Sequence, residues 1–162
     1  MPETNDEVEA LQRVALEVLK GRRQIDKPSV CCRVCGCLTL DGLYQHEICV
    51  VCDWHEDGTD DGGPADCGPH YGVSFTEAKE NFRLHLTSRN PTEGQRFLRS
   101  LPLRPLKNQF LELQQSLYEA ARRHNIDEAA RIYDSICETI EQITRARVPS
   151  MSITKQQEPR NN

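Results

Sequence analysis

The sequence has no apolar run near the roughly 18 residues that a membrane-spanning helix needs, so no such helix is expected. It is also poor in material for a core. Aromatic residues make up 6% and hydrophobic residues 37% of the 162, and mean hydropathy is −0.65, so something besides burial must hold part of the chain together. Lysine and arginine are absent from Val34 to Ala78, which excludes a nucleic-acid surface built on that segment. No phosphate loop, nucleophile–base pair or paired carboxylates stand in the sequence, and enzymatic activity is not expected. The first residues, Met-Pro-Glu-Thr-Asn-Asp-Glu, carry acids where an export signal would carry basic and then apolar residues; the expectation is a cytoplasmic protein with reduced thiols.

Cysteine is what the sequence does have. Seven of its eight cysteines fall between Cys31 and Cys67. Cys32-Arg33-Val34-Cys35 and Cys49-Val50-Val51-Cys52 are two Cys-x-x-Cys units with thirteen residues between them, the spacing of a four-cysteine zinc site. Two intervening residues let a tight turn aim both thiolates at one metal, and Gly36 supplies the positive φ such a turn needs. Four thiolates close a tetrahedral shell, so Cys32, Cys35, Cys49 and Cys52 are expected to hold a structural Zn2+. A thioredoxin-like redox pair would need a strand before the motif and a long helix after it, and the run Gly36 to Gly42 does not read as a helix. An iron–sulfur cluster would need cysteine runs that this spacing lacks. Cys31, Cys37 and Cys67 are expected to be spare and cheap to replace, and His46, His55 and His70 to be exposed loop residues, although any of these could substitute as a ligand.

Periodicity places helices around this segment. Val8, Leu11, Val14 and Val18 form an apolar stripe behind Thr4 or Asn5 as cap. Ser74-Phe75-Thr76-Glu77 has capping-box spacing and opens a second helix with Phe75, Ala78 and Phe82 on one face. Pro105 starts a third, with Phe110, Leu113, Leu117 and Ala121 on its stripe. Asp127 could cap a fourth, carrying Ala130, Tyr133, Cys137, Ile140 and Ile143. The run Asp127 to Tyr133 faintly resembles a tetratricopeptide turn, but no second copy follows at that period. The fold class expected is α+β: a small zinc-ribbon-like β module with a flanking helix, followed by an α-helical hairpin. Its parts are an amphipathic helix (1–23), the cysteine-rich module (24–87), a linker with one brief helix near Gln95 to Arg99 (88–104), the hairpin (105–147) and a disordered tail (148–162).

Three motifs in order, Cys32-x-x-Cys35-Gly36-x-Leu38-Thr39-Leu40, Glu47-Ile48-Cys49-x-Val51-Cys52-x-Trp54-x-Glu56-Asp57 and Gly72-Val73-Ser74-Phe75-x-Glu77-Ala78-x-Glu80-Asn81-Phe82, resemble the cysteine-rich CPCC domain family of bacterial proteins over about residues 31–86. The family's Cys-Pro-Cys-Cys-Gly stands here as Cys32-Arg33-Val34-Cys35-Gly36, which keeps the outer cysteine pair. A Gly-Gly-Ala-Asn run stands as Gly68-Pro69-His70-Tyr71. The resemblance implies a compact zinc-binding module and no particular activity.

Charge is divided along the chain. Nine acids and no bases lie between Val34 and Ala78, whereas Lys79 to Arg123 holds nine bases and four acids, so the two stretches are expected to complement each other. Asp57, Thr59, Asp61 and Gly62 imitate the first half of a calcium loop, but its twelfth position falls on Gly68 in place of a glutamate, and calcium is not expected. The function expected is a structural-zinc protein-interaction module, an adaptor or immunity-type protein whose partner is another protein, with no membrane and no small-molecule substrate. A nucleic-acid-binding regulator acting through residues 79–123 is the alternative, and a thiol redox or metal-handling protein using Cys31, Cys37 or Cys67 the second.

Overall fold

A computed structural model describes residues 4–20, 22, 27–43, 45–58, 60, 70 and 72–147. Helix α1 (Asn5–Leu19) starts at Thr4, whose hydroxyl accepts from the Glu7 amide while the Glu7 carboxylate accepts from the Thr4 amide. Such a reciprocal cap contributes about 1 kcal/mol. Two short antiparallel hairpins follow: β1 (Val30–Cys31) with β2 (Leu38–Leu40), and β3 (Glu47–Ile48) with β4 (His55–Glu56). Each Cys-x-x-Cys unit is the turn of one hairpin. Helix α2 (Phe75–His85) is capped by Ser74 and Glu77 as its spacing predicts, and it stops at Leu86 in the left-handed conformation.

The brief helix expected next is α3 (Gln95–Leu98). A 310 turn precedes it (Pro91–Glu93) and another follows it (Leu101–Leu103), and the stretch is packed against the protein, with Ser100 and Leu103 buried. Helices α4 (Arg104–Arg122) and α5 (Ile126–Arg147) form an antiparallel hairpin. Asn125, not Asp127, caps α5: its side-chain oxygen accepts from the Glu128 amide and its side-chain nitrogen donates to the Glu128 carboxylate. The turn ends two residues sooner than the apolar pattern suggests, leaving Asp127 inside the first helical turn.

Helix α1 lies on both α4 and α5, so the helical part is a three-helix layer. Leu11, Val14, Ala15 and Val18 of α1 meet Phe110 and Leu117 of α4 and Ile136 and Ile143 of α5 in one buried cluster that runs on into the cysteines. Each large apolar side chain buried there contributes about 1.5–3 kcal/mol. The buried faces of α4 and α5 also carry Lys107, Gln114 and Thr139, which no hydrophobic pattern would place inside. Among the described residues no helix is long and apolar enough to cross a membrane.

Candidate metal centre

The two knuckles repeat one backbone plan. In the first, the Gly36 amide donates to the Cys32 carbonyl at 2.8 Å and the Cys32 amide to the Cys37 carbonyl at 2.8 Å. In the second, Asp53 donates to Cys49 at 2.9 Å and Cys49 to Trp54 at 2.8 Å. The residue after each second cysteine is left-handed, Gly36 with φ 68° and Asp53 with φ 70°. Glycine adopts this conformation freely, and aspartate is among the few other residues that tolerate it. The motif Cys-x-x-Cys-Gly thus recurs as Cys-x-x-Cys-Asp.

These turns bring together the four cysteines that the spacing selects. The Sγ atoms of Cys32, Cys35, Cys49 and Cys52 all lie within 4.8 Å of one another, and all four residues are buried. Cys32 Sγ is 3.7 Å from Cys52 Sγ, and Cys35 Sγ is 3.6 Å from Cys49 Sγ. A tetrahedral zinc with Zn–S bonds of about 2.3 Å sets neighbouring sulfurs about 3.8 Å apart, so the sulfur cage fits that ion. Burial and the neighbouring thiols push Cys35 and Cys52 above the ordinary thiol range. Burial also opposes ionisation of Cys49, but hydrogen bonds from Cys32, Cys35, Cys52 and Thr39 overcome it and hold that thiol well below its usual value. The cluster therefore already favours a thiolate, the form that binds metal.

The helices satisfy the polar groups that such short hairpins leave open. From α4, Gln114 accepts from the Leu38 amide at 2.8 Å and donates to the Gly36 carbonyl at 3.1 Å; from α1, Gln12 accepts from the Cys31 amide at 2.9 Å. The turn after α2 serves the second knuckle: the Ser88 amide and the Thr87 hydroxyl both donate to the Cys52 carbonyl. Arg33, between the first two ligands, reaches across to Glu56 of β4 at 2.7 Å, and that carboxylate is fully buried. Thr39 places its hydroxyl 3.1 Å from Cys49 Sγ, where it orients and stabilises the thiolate. Spacing alone could not have found Gln114, Thr87 or Lys107, which lie 35 or more residues beyond Cys52.

The expected charge complementarity is present at Asp53 through Lys107, whereas Arg147, which also pairs there, lies outside the basic stretch. The Asp53 carboxylate meets Arg147 Nη1 at 2.5 Å, the Thr87 hydroxyl at 3.1 Å and Lys107 Nζ at 3.9 Å. Lys107 is fully buried and also donates to the Leu86 carbonyl at 2.7 Å; burial lowers its pKa while Asp53 opposes the shift.

Cys31 and Cys37 stand outside the four-thiol cage, as expected. Both are buried beside the cluster; burial first, then neighbouring thiols, raises Cys31 well above the ordinary range, and burial raises Cys37 although a hydrogen bond with Cys35 opposes it. Cys67, and Thr59, Asp61, Gly62 and Gly68 of the calcium-like loop, lie outside the described residues. The three histidines do not join the four thiols. Against expectation, His70 is buried: its ring stacks on Trp54 with centroids 3.9 Å apart, and its Nε2 lies 3.1 Å from the Asp57 carboxylate. Trp54 is a large apolar surface inside a polar loop, and that was the available signal for a buried neighbour.

No curated protein and no solved structure matches the chain. Residues 30–94, the segment carrying both knuckles, α2 and the turn beyond it, match the model of the family described as Cysteine-rich CPCC.

Proposed function

We propose that the four cysteines hold one structural Zn2+, and that the protein is a non-catalytic cytoplasmic interaction module whose partner is another protein. The observation that carries this reading is the closed cage of four buried thiols. It leaves no open coordination position for substrate or water, and the four-sulfur donor set suits zinc. Iron would also accept four thiolates, and the metal content decides between them. Exposed Ile48 on β3 and Leu43 in the loop before it offer apolar contact beside Asp41 and Glu47, a surface suited to a partner with basic residues around an apolar patch.

The buried, raised thiols of Cys31 and Cys37 speak against a redox role. The nucleic-acid reading loses support because part of the basic stretch is spent internally: Lys107 is buried, and Arg83 and Arg123 pair with Glu80 and Glu128.

Elemental analysis of the purified full chain should find about one zinc per molecule. Chelation should abolish binding to the partner and unfold the hairpins while much of the helical signal persists. Iron with charge-transfer absorption, or partner binding that survives complete metal removal, would overturn the reading.

A further inference from the structure

Away from the cysteines, a cleft of about 540 Å3 opens between the second knuckle, α3 with the 310 turn after it, and the last turn of α5. The chain as a whole carries a net charge of −5, yet the lining of this cleft sets four guanidiniums, Arg89, Arg96, Arg99 and Arg147, against one carboxylate, Asp53. We propose that the cleft binds a small phosphate monoester, its phosphoryl group held by the arginines and its body lying on Leu103 and Ala146.

Two of the arginines are fixed before any ligand arrives. Arg147 is held by Asp53 and by the Val50 carbonyl of the second knuckle, and Arg89 is held 3.6 Å from Glu93; their side chains are 26% and 18% exposed. The other two, Arg96 on α3 and Arg99 just after it, are exposed at the rim. An anion seated between them and the fixed pair meets guanidinium groups from separate parts of the chain. No lining cation is a lysine. A planar guanidinium presents paired donors that match two oxygens of a phosphate, whereas an ammonium acts as a point charge.

The volume decides the ligand's size. Small-molecule sites run from about 300 to 1,000 Å3, so the cleft accommodates a phosphorylated molecule of about mononucleotide size.

Titration calorimetry of the full chain with adenosine monophosphate, inorganic phosphate and adenosine tests the assignment. Both phosphate-bearing probes should bind once per chain, and adenosine at least about tenfold more weakly than its monophosphate. The double variant Arg96→Ala with Arg99→Ala changes exposed side chains only. It should keep its unfolding midpoint and metal content, and it should weaken both phosphate-bearing probes at least about tenfold. Added salt should weaken wild-type binding. Absence of binding by both phosphate probes, equal affinity for adenosine, or unchanged affinity in the double variant overturns the proposal. So does tighter binding of a phosphoserine peptide or a single-stranded oligonucleotide than of the monophosphate, because the occupant would then be a macromolecule.

Discussion

Arg147, the last residue of α5, is bound to Asp53, the residue immediately after the fourth cysteine of the cluster, with Nη1 and Oδ1 2.5 Å apart. A second nitrogen of the same guanidinium donates to the Val50 carbonyl between the two cysteines of that knuckle. The end of the helical hairpin is thereby fastened to the metal-site turn, although 94 positions separate the partners (147 minus 53).

Asp53→Asn keeps a side chain that tolerates the left-handed backbone but removes the charge facing Arg147 and Lys107. The variant should be less stable by about 2 kcal/mol, the range for hydrogen bonds to charged groups, with metal content unchanged. Urea unfolding of the metal-loaded protein measures it, and an unaltered midpoint would mean that the fastening contributes nothing.

Cys35→Ser and Cys37→Ser separate cage from neighbour. The first opens the shell and should lose the metal together with several kcal/mol of stability. The second leaves the shell intact but buries a hydroxyl in place of a sulfur, at about 1–3 kcal/mol, more than an exposed spare thiol would cost. Metal stoichiometry and thermal melts of both variants decide; metal loss in Cys37→Ser would redefine the ligand set.

Thr39→Val retains a β-branched residue on β2 and removes the hydroxyl at the Cys49 sulfur. Metal affinity should fall by about tenfold, the lower end of the usual effect of such supporting hydrogen bonds. Competition with a chromophoric chelator reads the change directly, and affinity equal to wild type would assign Thr39 a packing role only.

Tyr133 of α5 donates from its hydroxyl to the Pro28 carbonyl at 2.6 Å, pinning the chain that enters β1. Burial first, then the nearby Cys137 thiolate, raises its phenol above the ordinary value. The folded state thus keeps the proton at pH values where an unfolded tyrosine, with a pKa of about 10, releases it, so stability from this group falls as pH rises past about 10. Tyr133→Phe should be less stable by about 1 kcal/mol at neutral pH and should lack that alkaline decline, so the two stability curves converge. Parallel curves in denaturant titrations across this range would contradict the assignment.

Helix starts and the four candidate ligands could be read from neighbouring residues alone. The capping box at Ser74, a cap at Thr4 or Asn5, Pro105 at a helix start and the Cys-x-x-Cys spacing all act within a few residues of chain, where covalent geometry restricts the options, so each was legible. Tertiary structure alone decided how the hairpins are supported. Gln114 contacts residues 76 and 78 positions away, and Lys107 sits buried beside Asp53. Short hairpins leave amides and carbonyls unpaired, and a polar side chain from a distant helix becomes a buried partner only when the apolar faces of α1, α4 and α5 have packed and set its position. The same packing gathers arginines from separate parts of the chain around one cleft. Sequence records their charge, but only the fold gives that charge a common centre.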